Sequence, residues 1–350
     1  MRETGLAVLA TVAVVLALPS CAGAPEPIED LGPAVLERDL ISSEDLSAAA
    51  TTGELLLIAS DEGAAVQVLT SAGTAGRWRV HSASGVVDLL AEGNEADIEA
   101  IAARGDEAYA LGSHSRVRKK LDARDPVDRN RKRLEQVTAP KERDHVFRLE
   151  ITGDPEPPVR VAGSFSLRAI LEGDPVLAPF ATIPGKENGV DLEGLAWDGD
   201  RLVVGFRSPV LRSGHVPVLV VPPEEPSRYE LRFLDLGGLG VRDLLRVEEG
   251  FLVLAGGEGR SPRFELHVWD GRDCVPGRGA RSCRAFVGEV PAPPGGKAEG
   301  LALVGVATDA YELLVLYDGP PGGAPRRLRV SRGALGLPSG PAPATDDTDD

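Results

Sequence analysis

The chain has 350 residues, of which 42% are hydrophobic and 26% charged, with 41 Gly and 28 Pro. The apolar share is ample for a core and excludes global disorder, while the Gly and Pro content favours many short strands joined by turns. A net charge of −16 repels phosphate backbones and excludes general nucleic-acid binding.

Arg2 precedes an apolar run from Leu6 to Leu18. Thirteen residues suffice for the core of an export signal but fall short of the ~20 that span a bilayer. Leu18-Pro19-Ser20-Cys21 looks like a bacterial lipobox, in which Cys21 becomes the lipidated N-terminus; Ala22-Gly23-Ala24 is a competing cleavage site, but Pro25 follows it. The sequence therefore predicts a lipoprotein-type signal over 1–20, with a plain secretory signal as the alternative. It predicts an exported monomer of the cell envelope, held to the membrane through lipid on Cys21. Residues 21–33 are Pro- and acid-rich and read as a tether. Residues 334–350, ending in a run of Asp, read as a disordered acidic tail.

Between these ends a unit recurs: a short strand of small or apolar residues opened by an acidic residue, a turn, then a continuously apolar strand. Asp45-Leu46-Ser47 leads to Glu54–Asp61, Asp97-Ile98-Glu99 to Glu107–Ser113, and Asp191-Leu192-Glu193 to Arg201–Arg207. Val241-Arg242-Asp243 leads to Gly250–Gly256, and Lys297-Ala298-Glu299 to Tyr311–Asp318. Small side chains suit a strand crowded at an axis, and an unbroken apolar run suits one buried on both faces. Two weaker strands follow most units, as in Val216–Val221 and Tyr229–Leu236. Four strands at a period near 50 describe a propeller blade. The expected fold is an all-β single propeller over 34–333 with five blades. Six is the alternative, because 94 residues separate the second and third motifs, and a pair of β-sandwiches is the rival fold. Residues Ala34 to Ile41 are expected to close the ring on the last blade.

The long step contains a basic insertion at about 114–144. Residues 116–148 hold 12 Lys/Arg against 6 Asp/Glu, a solvated loop that could attract an anionic substrate or an anionic envelope surface. Cys274 and Cys283 flank a turn-rich stretch and are expected to form a disulfide in an oxidising compartment, free thiols being the alternative.

If the inner strands are equivalent, Glu99, Glu193 and Glu299, with Asp97, Asp191 and Asp243 nearby, converge at one mouth of the channel. Carboxylates so crowded need a cation or Arg among them. Glu99, Glu193, Glu299 and Asp191 are the candidate metal ligands, and hard oxygen donors favour calcium. The competing reading is that each carboxylate is salt-bridged and holds blades together. Arg207 and Arg116 end strands that could face the same mouth and clamp an anionic small-molecule ligand. His114, among small polar residues, is a candidate acid–base group or ligand. No nucleophile elbow, P-loop, zincin or EF-hand pattern occurs.

Gly205-Phe206-Arg207-Ser208-Pro209-Val210 resembles the Gly-Leu-Arg-Gly-Pro-Val signature of the bacterial family DUF3616. Asp191-Leu192-Glu193-Gly194-Leu195-Ala196 and Gly112-Ser113-His114-Ser115-Arg116 are similar to its motifs, from about 40 to 320. That family has no assigned reaction, so the resemblance speaks to fold. Glu193-Gly194-Leu195-Ala196 and Glu299-Gly300-Leu301-Ala302 also resemble, more distantly, a motif of esterase-like and alkaline β-propeller phytases, in which mouth carboxylates bind calcium that in turn binds phosphate. That likeness implies a calcium-dependent phosphate-ester hydrolase. The alternative is a non-catalytic envelope binding module.

Overall fold

The computed structural model describes residues 26–37, 40, 44–81, 85–91, 93–152, 158–257 and 263–337. The expected signal at 1–20, the lipidation of Cys21 and most of the acidic tail lie outside them. No helix among the described residues is long and apolar enough to cross a membrane.

Four antiparallel sheets of four strands and one sheet of six strands form a five-bladed β-propeller. The inner strands are Leu46–Thr52, Ile98–Arg104, Asp191–Asp198, Gly240–Val247 and Lys297–Val306, and each packs against the inner strands of the two neighbouring blades. The second strands are Leu55–Ser60, Glu107–Gly112, Arg201–Ser208, Gly250–Gly256 and Ala310–Asp318. Inner and second strands meet in tight hairpins; in blade 3 Gly199 takes a φ of +63° that Asp or Arg would adopt only under strain.

The unbroken apolar second strands have a physical reason. Leu57 and Ala59 join the cluster between blades 1 and 2, while Leu56 and Ile58 join the cluster between blades 5 and 1. In blade 4, Leu252 and Leu254 face blade 5, and Phe251, Val253 and Ala255 face blade 3. Alternate side chains thus fill two different interfaces, so neither face can be polar. Five apolar clusters result, one between each pair of adjacent blades.

Ring closure corrects the sequence expectation. The strand that completes blade 5 is Ile28–Pro33, from the stretch read as tether, and it pairs antiparallel with Arg326–Ser331. Val35–Glu37 instead lies parallel to Arg77–Val80 at the rim of blade 1. One short segment thereby joins the first blade to the last and covers both edges. Its acidic Asp30 explains the misreading: the side chain pairs with Arg326 on the surface, so the strand needs no apolar face there.

The long step between motifs is an insertion, not a sixth blade. It carries the helices Val127–Glu135 and Arg168–Gly173, with Ile170 and Leu171 of the second buried between blades 2 and 3. Cys274 and Cys283 form a disulfide in the loop before the outer strand of blade 4, with Cα atoms 5.7 Å apart.

Candidate functional site: the charged mouth of the channel

In every blade the pairing of inner and second strand slips by one residue at the same place. The bulged residues are Ser47, Glu99, Glu193, Arg242 and Glu299, in ring order. A bulge re-aims its side chain. Here the three bulged Glu line a cavity of ≈ 570 Å³ at one end of the channel. In four blades the bulge lies eight residues before the first residue of the second strand: Ser47 before Leu55, Glu99 before Glu107, Glu193 before Arg201, Arg242 before Gly250.

The ring carries three carboxylates, one guanidinium and one hydroxyl. Arg242 reaches to both sides: its Nη1 lies 3.0 Å from Glu193 Oε2 of blade 3 and 3.1 Å from Glu299 Oε1 of blade 5. The Ser47 hydroxyl donates to the carbonyl of Ile98 in blade 2. Glu99 has no cation in the ring, and its carboxylate enters no ion pair among the described residues.

Behind the ring a second set of pairs forms. Arg207 bonds Asp191 and lies 2.6 Å from Glu193 Oε1. Arg143, from the basic insertion, holds Asp97 at 2.7 Å and also Glu95. Lys297 pairs with Asp318. Asp191 packs against the loop at Gly185, where any Cβ would stand 2.5 Å from its Oδ2, so this loop can close over the carboxylate only with Gly there.

Among the described residues, ten carboxylates and seven cationic side chains line the cavity, so acids outnumber cations there. The acids respond accordingly. Desolvation pushes Asp191 up to about 7 despite Arg207, and Glu299 up to about 8 despite Arg242. Desolvation, then the charge of Glu193, holds Glu99 well above the usual carboxylate range. Asp61 is raised to about 7 by desolvation and by Asp318, and its Oδ1 meets no donor.

The candidate ligands are therefore sorted by the structure. Oxygen atoms of Glu99, Asp191 and Glu193 lie within 4.8 Å of one another, a grouping that could hold a metal ion. Glu299 stands outside this group, turned toward Arg242. Asp243 is not a channel carboxylate: it is fully buried and accepts from the amides of Leu244 and Leu301, both at 2.7 Å, tying blade 4 to blade 5.

His114 does not face the mouth. It is fully buried, with Nδ1 2.8 Å from the carbonyl of Gly112 and Nε2 accepting from the amide of Leu167 at 3.1 Å. Both ring nitrogens are committed to backbone, and burial lowers its pKa to about 4. The acid–base role expected for it is corrected to that of a pin between blade 2 and the second insertion helix. Arg116 does line the mouth, where it pairs with Glu172 at 2.9 Å and donates to the Ala181 carbonyl. Arg207 is the internal partner of two mouth carboxylates.

Arg242 and Arg143 are the residues that the motif reading missed. Aligning the fourth unit on its acidic residue, Asp243, set it out of step by one. The eight-residue spacing to the second strand is the feature that places Arg242 in the ring.

The fold has solved counterparts at low similarity. Glutaminyl cyclase of Myxococcus xanthus is 9% identical, covering 87% of this chain and 95% of that one, with a TM-score of 0.47. A β-1,3-galactosidase of glycoside hydrolase family 43 is 8% identical over 81% and 89%, with a TM-score of 0.41. A putative oxidoreductase (glucose dehydrogenase) of Thermus thermophilus is 15% identical over 87% and 99%, with a TM-score of 0.37. The sequence matches no curated protein. The family described as "Protein of unknown function (DUF3616)" matches residues 45–332, all five blades, and the chain belongs to it.

Proposed function

We propose that the channel mouth binds a divalent cation through Glu99, Asp191 and Glu193, calcium being the ion that an all-oxygen donor set suits, and that it acts on a phosphate ester. The observation that carries the reading is the trio itself: three carboxylates within 4.8 Å of one another, of which Glu99 has no cationic partner among the described residues. Desolvation and the neighbouring carboxylates raise Glu99 and Asp191, a cost that a bound cation would relieve. A bound divalent cation would supply polarisation of a phosphoryl oxygen and a water of lowered pKa.

The chain's own residues provide the remainder. Lys120 and Lys186 stand exposed at the mouth, outside any ion pair among the described residues, and draw an anion in. Arg116 stabilises anionic charge at the rim. Asp61, with a pKa near 7, holds or gives up a proton at neutral pH. Arg207 positions Asp191 and Glu193. On this reading the expected export and the Cys21 anchor would place the activity at the cell envelope, and a salt-bridged role remains for Glu299.

Calorimetric titration of Ca²⁺ into EDTA-treated protein, at ~0.15 M salt to suppress diffuse binding, tests the proposal. One saturable site is expected, lost in Glu99→Gln, with release of p-nitrophenol from p-nitrophenyl phosphate depending on it. Glu99 is the better probe because Gln at 193 would also break ion pairs with Arg207 and Arg242. No saturable heat, or wild-type heat in the variant, overturns the cation site; binding without turnover overturns the hydrolase and leaves a binding module.

A further inference from the structure

The basic insertion has a surface that the mouth does not use. Ten large apolar side chains are exposed among the described residues, and four of them fall between 121 and 137: Leu121 (48% exposed), Val127 (69%), Leu134 (52%) and Val137 (41%). The helix Val127–Glu135 buries none of its residues. Arg129 and Arg133 tie it to Asp125, Asn130 donates to the Asp122 carbonyl, and Arg133 donates to the Lys120 carbonyl. That polar face is turned to the insertion's own loop. Val127 and Leu134, seven residues apart, share the opposite face with Arg131 between them.

The basic residues divide the same way. Arg116, Arg118, Arg124, Arg129, Arg133 and Arg143 are in ion pairs. Lys119, Lys120, Arg131, Lys132 and Lys141 are exposed and in none among the described residues. Exposed apolar side chains interleaved with unspent cations, on a protein of net charge −16, mark a surface complementary to something anionic and partly apolar.

We propose that the insertion docks on an anionic lipid bilayer, with Leu121, Val127, Leu134 and Val137 reaching the acyl boundary and the unpaired Lys and Arg meeting headgroup phosphates. Arg118 and Lys120 belong both to this insertion and to the cavity lining, so docking turns the channel mouth toward the lipid surface. The proposal needs no cation in the mouth and stands apart from the proposed activity.

The test is sedimentation of the full chain, in EDTA, with phosphatidylcholine vesicles that contain or lack phosphatidylglycerol. Wild type is compared with Lys119→Gln/Arg131→Gln/Lys132→Gln and with Val127→Ser/Leu134→Ser. The first 25 residues are common to all three proteins, so the differences among them report on the insertion. Binding to anionic vesicles should fall about a hundredfold in the triple variant, about tenfold in the double variant, and weaken with salt. Leu134→Trp should shift its emission to the blue only with anionic vesicles. All these positions are exposed, and unchanged circular dichroism confirms folding. Equal binding to both vesicle types, or variants that bind as wild type, overturns the proposal. So does concentration-dependent dimerisation abolished by the triple variant without vesicle binding, which would assign the surface to the acidic body of a second copy.

Discussion

The two ends of the channel are made from the same five strands and obey opposite rules. At the mouth the bulged residues are charged or polar in every blade, and burial pushes Glu99 and Glu299 toward protonation. Two residues further along each strand come Ala49, Ile101, Leu195, Leu244 and Leu301, all buried and all apolar. They line a smaller cavity of ≈ 150 Å³ with Ala50, Ala102 and Ala196. The apolar layer needs nothing beyond packing. The mouth needs Arg242, Arg207 and Arg143 to be tolerable at all, and still leaves Glu99 without an ion pair among the described residues. A fold that stabilises itself at one end can carry an unfavourable charge cluster at the other, and such clusters concentrate at functional sites.

The largest effect is expected where the mouth is held together. Arg242→Met leaves Glu193 and Glu299 without their shared guanidinium in a buried setting, and should cost about 3–5 kcal/mol in urea denaturation. A cost below about 1 kcal/mol would mean that the ring does not need its cation. At the apolar end, Leu244→Ala removes a side chain packed over Gly194 and Gly205 and should cost about 3 kcal/mol by leaving a cavity. Bound cation should leave that cost unchanged, because the apolar layer senses no charge; a cation-dependent cost would erase the distinction between the ends.

Much of this layering was legible in the sequence. The small inner strands and apolar second strands are direct consequences of crowding at the axis and burial on two faces, and they predict a five-bladed propeller. Glu99 and Glu193 were recognisable because their motifs repeat. What could not be read was pairing. Glu193 and Glu299 share a motif and both bond Arg242, yet only Glu193 also joins the acidic trio. The difference is set by which blade stands next door in the ring, a contact 57 residues away for Glu299. His114 misled for a related reason: its small polar neighbours suggested exposure, whereas the insertion helix closes over it. Ile28–Pro33 misled because an edge strand exposed on one side needs few apolar residues.

Smaller effects separate the mouth's internal bookkeeping from its proposed ligand. Glu99→Gln removes a carboxyl whose charged form burial and Glu193 disfavour, so at pH 8 in EDTA it should raise the urea midpoint. With calcium the order should reverse, since only wild type gains from binding. Destabilisation in EDTA would show that the Glu99 carboxylate is structurally satisfied and would remove the support it lends to a cation site.

The smallest effect is a pH slope. Asp61 is raised from 3.8 to about 7 by desolvation and the charge of Asp318. A carboxyl with a raised native pKa keeps its proton in the folded state after the unfolded chain has lost it. The folded state therefore binds more protons between the two values, and stability falls as pH rises through that window. Between pH 6 and pH 8 the unfolded group is already ionised, so the loss tracks the native pKa alone and amounts to about 1 kcal/mol. Asp61→Asn has nothing to titrate there and should lose that share of the slope, leaving the contributions of Asp191 and Glu299. Urea midpoints of the two proteins at both pH values measure the difference. Parallel slopes would mean that Asp61 is ionised at neutral pH, and would withdraw it as the group that exchanges a proton at the mouth.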